Sequence, residues 1–276
     1  AFYGGGNIAQ AFIEGLLRSG YKKNNIFFVD RNLKNQKLLK KLKIRNLNSQ
    51  KSLKIDLFIL AVKPKDAINA YQEILRDYKN PKIISFVAGI KTSKYKTINK
   101  NIEFLRAMPN TSSKFNLGIT AIYNLSFNET NLAKVISIMK RVGMVISLKK
   151  ESKIDTFTGV IGSGPAYFFY LLKTYEKKLL KLCDGDKEEV NKIIVSLIKG
   201  VGSSIEDRKD LDGLIKSVAS KKGTTEAGLK SFKSNKISMI FEKGLNAAIK
   251  RSKEISSEYW STNLRPLVKC NKLFIY

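Results

Sequence analysis

Residues 4–9 read Gly4-Gly5-Gly6-Asn7-Ile8-Ala9, and the fold turns on how this stretch is read. Ala1-Phe2-Tyr3 precede it, and the periodic residues Ala11, Phe12, Gly15, Leu16 and Leu17 follow. The order is strand, glycine turn, helix, and the pattern is G-x-G-x-x-G/A with Ala9 in the last place, a dinucleotide-binding fingerprint. Gly4 permits the tight turn out of the strand. Gly6 lets a pyrophosphate approach the backbone, and Ala9 lets helix and strand pack closely. The helix start, at Asn7 and Ile8, offers unpaired N–H groups and a partial positive charge to the phosphates.

The first helix stops at Ser19-Gly20, and Ile26-Phe27-Phe28-Val29 reads as a buried parallel strand ending in Asp30-Arg31. Asp30 lies about 20 residues beyond Ala9, where such folds place the acceptor for the ribose hydroxyls. Arg31 beside it suits a 2′-phosphate instead, so the pair points both to NADH and to NADPH. A charged helix over 33–42, a short strand near Ile44 and Asn48 follow. The strand over 55–62, which includes Ala61 and Val62, ends in Lys63-Pro64, where proline removes a ladder donor and turns the chain off the sheet. Ligands sit at that edge of an open α/β sheet.

A helix over 67–78, a strand over 83–89 carrying Ala88, a helical segment and a strand over 102–107 lead into Met108-Pro109-Asn110-Thr111 at the same edge. This alternation predicts a doubly wound sheet with right-handed crossovers. Strand-like runs over 118–123 and 143–148 flank a helix over 131–141. Beyond Lys149 the pattern becomes helical, over 154–182, 187–207 and 237–260. The expected fold is α/β: a Rossmann-type dinucleotide-binding domain over 1–150, an all-helical dimerisation and substrate domain over 151–260, and a tail over 261–276. So helical a domain encloses little core, so its apolar faces are expected to pair with another copy.

Composition narrows the function. A chain of 276 residues, 43% apolar and 27% charged, is long enough for two packed domains. The formal charge of +28 would ordinarily point to nucleic acid. The excess is nearly all lysine, spread over every segment, with nine arginines, whereas a nucleic-acid reader clusters its charge and favours arginine. No nucleic-acid partner is expected. Cys183 and Cys270 have neither metal nor disulfide spacing, as in a reducing cytoplasm. The longest apolar run, 159–172, is broken by Ser163, Gly164 and Pro165 and is too short to span a bilayer. Glu14 and Arg18 interrupt the first apolar stretch, so no secretory leader is expected. With only three residues before the glycines, part of the first strand is expected to be missing from the chain as numbered. Histidine is absent, which excludes a His general base, a Ser-His-Asp triad and His metal ligands.

Five segments in order carry a resemblance. They are residues 4–9, Ala61-Val62-Lys63-Pro64, Arg106-Ala107-Met108-Pro109-Asn110-Thr111, Gly162-Ser163-Gly164-Pro165-Ala166-Tyr167, and residues 220–229, which open Ser220-Lys221-Lys222-Gly223-Thr224-Thr225. Over roughly residues 1–256 the chain resembles pyrroline-5-carboxylate reductases. The resemblance implies reduction of 1-pyrroline-5-carboxylate to L-proline by NADPH or NADH, in a homodimer or larger homo-oligomer whose substrate pocket forms between subunits. It places the cofactor against Gly4, Gly6, Asn7, Ile8, Asp30, Arg31, Asn48, Ala61, Val62, Lys63, Pro64, Ala88 and Asn110. It places the substrate carboxylate on Ser220, Gly223, Thr224 and Thr225, with the Thr225 hydroxyl at the ring nitrogen as the catalytic group. Lys221-Lys222 stand where the family often has Pro-Gly, which is expected to stiffen the loop and add charge near an anionic substrate.

The missing histidine fits this chemistry. A ketone reduction needs a proton donor for the developing alkoxide, but a cyclic imine enters already protonated, and the protein's task is to position two rings and bind a carboxylate. The Tyr-x-x-x-Lys dyad of short-chain reductases is matched only by Tyr78 to Lys82, across Pro81 and off any helix. A 3-hydroxyacid dehydrogenase relative would share the first fingerprint, yet it lacks the 220–228 loop. A non-catalytic nucleic-acid binder would need clustered charge.

Overall fold

The computed structural model of the protein describes residues 1–49, 53–208 and 210–261. Contacts divide the chain into two units, Ala1–Thr158 together with the chain from Ile249 onward, and Gly159–Ala248. The sequence pattern places the first boundary near residue 150. The tail expected over 261–276 lies, beyond Ser261, outside the described residues, as does Cys270.

The first unit is built on an eight-stranded sheet. In chain order it runs β1 (Phe2–Tyr3), α1 (Asn7–Arg18), β2 (Phe27–Val29), α2 (Leu33–Lys41), β3 (Arg45–Asn46), β4 (Phe58–Leu60), α3 (Ala67–Asp77), β5 (Lys82–Ser85), α4 (Thr92–Ile98), β6 (Glu103–Pro109), β7 (Gly118–Asn124), α5 (Glu129–Lys140) and β8 (Gly143–Ser147). The strand order is β3-β2-β1-β4-β5-β6-β7-β8. The first six strands have the doubly wound Rossmann order. β6 and β7 pair antiparallel, and β7 and β8 parallel, so the sheet is mixed where the alternation predicted parallel crossovers.

Alternation along each strand sends successive side chains to opposite faces. Phe2, Phe28, Ile59, Ile84 and Leu105 join one core with Phe12 and Ile13 of α1 and Val135 and Met139 of α5. Tyr3, Phe58, Leu60, Ile83 and Phe104 join the other with Tyr71 and Ile74 of α3 and Tyr95 of α4. A sheet buried on both faces explains the unbroken apolar strands. The expected strand over 55–62 is shorter because its neighbour β1 pairs only through Phe2 and Tyr3. The strand expected over 83–89 ends at Ser85, whose Oγ accepts from Val87 N–H at 3.2 Å and starts the turn.

After β8 come α6 (Lys153–Phe157), a π-helical turn (Thr158–Gly162), α7 (Gly164–Leu182), α8 (Lys187–Arg208), α9 (Leu211–Val218), α10 (Thr224–Ser234) and α11 (Ile237–Ser261). The single helix expected over 154–182 is therefore interrupted at the glycine-rich segment. The end of α11 returns to the first unit, where Ser252 and Ser256 hydroxyls donate to Asp155 Oδ1 of α6 at 3.0 and 2.9 Å.

Candidate active site

Gly4 closes β1 by donating its N–H to Val29 O at 2.8 Å and takes φ +101°. A Cβ there would collide with the carbonyl of Ala61 and the nitrogen of Val62, so both the torsion and the close approach require glycine. Gly6 has φ −70° and ψ −176°, ordinary extended backbone, and is the N-cap of α1 with no side-chain capping bond. A Cβ on Gly6 would meet nothing within 4 Å. The residues present therefore fit a dinucleotide. There is room for close approach at Gly6, and the first turn of α1 offers N–H groups left over from intrahelical bonding. Gln10 Nε2 braces the turn by donating to Gly5 O at 2.7 Å.

The expected cofactor residues follow the carboxyl ends of successive strands. The Asp30 carboxylate, after β2, is turned onto the glycine turn: Oδ2 accepts from Gly5 N–H and from Asn35 Nδ2, and Oδ1 accepts from Asn32 N–H. Arg31 is 84% exposed and pairs with Glu73 of α3 at 2.6 Å. Asn48 is exposed in a 3-10 turn after β3, and its N–H donates to Asn46 Oδ1. Ala61 is buried beside Gly4, Val62 and Pro64 are half-buried, and Lys63 is exposed at the head of the Pro64–Asp66 turn. Ala88 is half-buried in the turn after β5. Asn110, buried at the end of β6, accepts from Ile119 N–H at 3.1 Å and ties that end to β7.

In the second unit, residues 220–223 lead into α10. Gly223 is its N-cap, with no side-chain capping bond. Gly223 N–H donates to Ser220 O at 3.1 Å, and the Ser220 hydroxyl lies so close over Gly223 that a Cβ would strike it. Thr224 and Thr225 form the first turn of the helix, and Thr225 is half-buried. Lys222 adopts φ +58°, the left-handed torsion that glycine takes most easily. Its N–H is held by Glu226 Oε2, so the lysine is accommodated without opening the turn. The loop thus brings hydroxyls and helix-start N–H groups together, donors of the kind that anions take.

Residues 151–255 match the family model described as pyrroline-5-carboxylate reductase dimerisation, and residues 1–89 match NADP oxidoreductase, coenzyme F420-dependent. Pyrroline-5-carboxylate reductase 1 of Bacillus subtilis is 32% identical over 95% of this chain and 91% of its own. The chain belongs to the pyrroline-5-carboxylate reductase family. The Haemophilus influenzae enzyme of that name is 29% identical over 93% of this chain and 97% of its own. The solved pyrroline-5-carboxylate reductase of Coxiella burnetii superposes with a TM-score of 0.78 at 28% identity, covering 92% of this chain and 97% of that one. Pyrroline carboxylate reductase of Plasmodium falciparum, solved with NADP bound, shares the fold with a TM-score of 0.82 at 23% identity, over 92% and 97% of the two chains.

Within this reductase, sequence reading missed a buried polar group on β6. Arg106, quoted above only as part of a motif, is 1% exposed and donates from Nη1 to Glu151 Oε1 at 2.9 Å. Glu151 also accepts from the N–H and the hydroxyl of Thr92, each at 2.8 Å. The Tyr95 hydroxyl lies 3.4 Å from Ser85 Oγ on the same face, and burial pushes the Tyr95 phenol well above its ordinary value. Glu151 sits among lysines in the sequence, and only its partners distinguish it from a surface acid.

Proposed function

We propose that this chain reduces 1-pyrroline-5-carboxylate to L-proline, with Ser220, Gly223, Thr224 and Thr225 holding the substrate and the edge from Gly4 to Asn110 holding NADPH or NADH. One observation carries the reading: a chain of this family, without histidine, joins an open glycine cradle to a hydroxyl-rich helix start suited to a carboxylate. When bound, the reduced dinucleotide supplies the hydride that converts the protonated C=N to CH–NH. The protein's own groups bind and orient. The first turn of α1 neutralises pyrophosphate, and Ala61, Val62, Lys63 and Pro64, with Ala88 and Asn110, fix the cofactor at the strand ends. The helix start at Thr224 holds the carboxylate. Thr225 Oγ1 accepts the ring N–H and aligns the ring; the nitrogen keeps that proton when hydride adds at carbon and takes a second one from solvent to become the ammonium of proline. The substrate brings the proton, so no strong acid is needed.

NADPH is the preferred donor in this reading. The Asp30 carboxylate is engaged by three internal donors and is therefore occupied where a ribose 2′-hydroxyl would need it. Arg31 keeps a solvent-facing guanidinium whose exposed ion pair is worth less than about 1 kcal/mol and yields readily to a phosphate. We place the reaction in the cytoplasm, in keeping with cysteines that lack disulfide spacing; among the described residues no helix is long and apolar enough to cross a membrane. The working assembly is a homodimer or a larger homo-oligomer joined through the helices of 159–248.

Absorbance at 340 nm with 1-pyrroline-5-carboxylate and each cofactor tests the reading. Turnover is expected with both and at lower KM with NADPH; no turnover with either overturns it. Thr225→Ala is expected to lower kcat by about tenfold to a hundredfold while the Kd for NADPH stays within about twofold. A collapse of cofactor affinity would remove this loop from the substrate site.

A further inference from the structure

Arg106 lies on β6 opposite Ser85, the last residue of β5. Its neighbours Leu105 and Ala107 belong to the core under α1, and Phe104 to the core under α4, so alternation sends the Arg106 side chain toward α4. There it meets one acceptor, Glu151. Its Nε and Nη2 are buried and have no hydrogen-bond partner among the described residues. Glu151 precedes α6 and spends its remaining capacity on Thr92, the buried first residue of α4. One carboxylate thus joins β6, the start of α4 and the approach to α6. Ala88 stands four residues before Thr92, and Asn110 four residues after Arg106.

Stability does not explain such an arrangement. Desolvation offsets most of what an ion pair gains, unmatched buried donors add to that cost, and well-packed apolar replacements are often equally stable. What the pair does supply is a fixed distance between two segments that meet at the strand ends. We propose that Arg106 is a positioning residue for the reductase reaction: through Glu151 and Thr92 it holds the turn carrying Ala88 in register with the end of β6 carrying Asn110. This rests on the assignment of those two residues to cofactor contact in the preceding section. The relation is directional. Loss of the clamp loosens the cofactor edge and leaves the carboxylate loop of the second unit untouched.

The test uses the full chain and three readouts: thermal unfolding, the Kd for NADPH from its fluorescence, and steady-state kinetics. The Arg106→Met/Glu151→Leu double variant is expected to unfold at or above the wild-type temperature, to bind NADPH about tenfold more weakly and to lose kcat, with KM for 1-pyrroline-5-carboxylate unchanged. Thr92→Val, which removes only the hydroxyl, is expected to weaken NADPH binding in the same direction, and Thr92→Ser to restore it. Wild-type Kd and kcat in both the double variant and Thr92→Val would overturn the proposal, as would equal losses in Thr92→Val and Thr92→Ser. Should the double variant not fold, the Thr92 pair decides alone. Turnover by the unaltered protein, measured alongside, shows separately whether the reductase reading holds.

Discussion

Gly4 and Gly6 stand two residues apart under different constraints. Gly4 combines φ +101° with backbone of the β4 turn where a side chain would go. Gly4→Ala is therefore expected to destabilise the first unit by about 3 kcal/mol or more, a left-handed torsion and a backbone clash together. Gly6 has an allowed torsion and open space. Gly6→Ala is expected to leave the unfolding temperature nearly unchanged, the entropy gain of about 0.5 kcal/mol through the unfolded chain being offset by a poorer N-cap residue, and to weaken NADPH binding by about tenfold or more because the methyl group occupies the approach of the pyrophosphate. Unfolding curves and cofactor titration of the two variants give opposite patterns. The turn at Gly4 is legible in sequence, because G-x-G assigns it to the first glycine. The orientation of Asp30 is not legible, because its spacing is the same whether the carboxylate faces a ribose or Gly5.

The start of α10 shows what happens when a local rule is broken within one element. Lys222 holds a left-handed torsion at a cost of about 1 kcal/mol, offset by the hydrogen bond from its N–H to Glu226. Lys222→Gly is expected to stabilise the protein by about 0.5 kcal/mol, since the relieved strain exceeds the added chain entropy only slightly, and to change KM for 1-pyrroline-5-carboxylate by less than about twofold; denaturant titration and kinetics check both. Lys222 adopts the torsion that glycine would take, so the turn keeps its course without the glycine often found there in the family. The interruption at Thr158–Gly162 lies at the same scale. Apolar periodicity continues from 154 to 182, so the sequence reads as one helix, whereas a π turn spans Thr158–Gly162 and the Tyr167 hydroxyl, from the next helix, donates to Gly159 O within it at 2.9 Å.

Across the whole molecule the two units are unequal. Among the described residues of 159–248, Val190 is the one hydrophobic side chain in the buried core, while Phe168, Phe169, Tyr170, Val218 and Ile240 are more than half exposed. A 90-residue helical unit cannot stand in water on that burial, so light scattering at micromolar concentration is expected to give at least twice the 31.1 kDa of one chain. A monomer would remove the homo-oligomer. The order of strands and helices over residues 1–150, the glycine turn and the Ser/Gly/Thr loop before α10 are legible in the sequence, because each rests on backbone torsions and periodicity within a few residues. Folding in three dimensions is what turns Asp30 onto the glycine turn, brings Arg106 to Glu151 forty-five residues away, and sets Ser252 and Ser256 against Asp155, about a hundred residues earlier in the chain. A buried charge is settled by whichever partners the fold brings within about 3 Å, and spacing along a chain does not encode that distance.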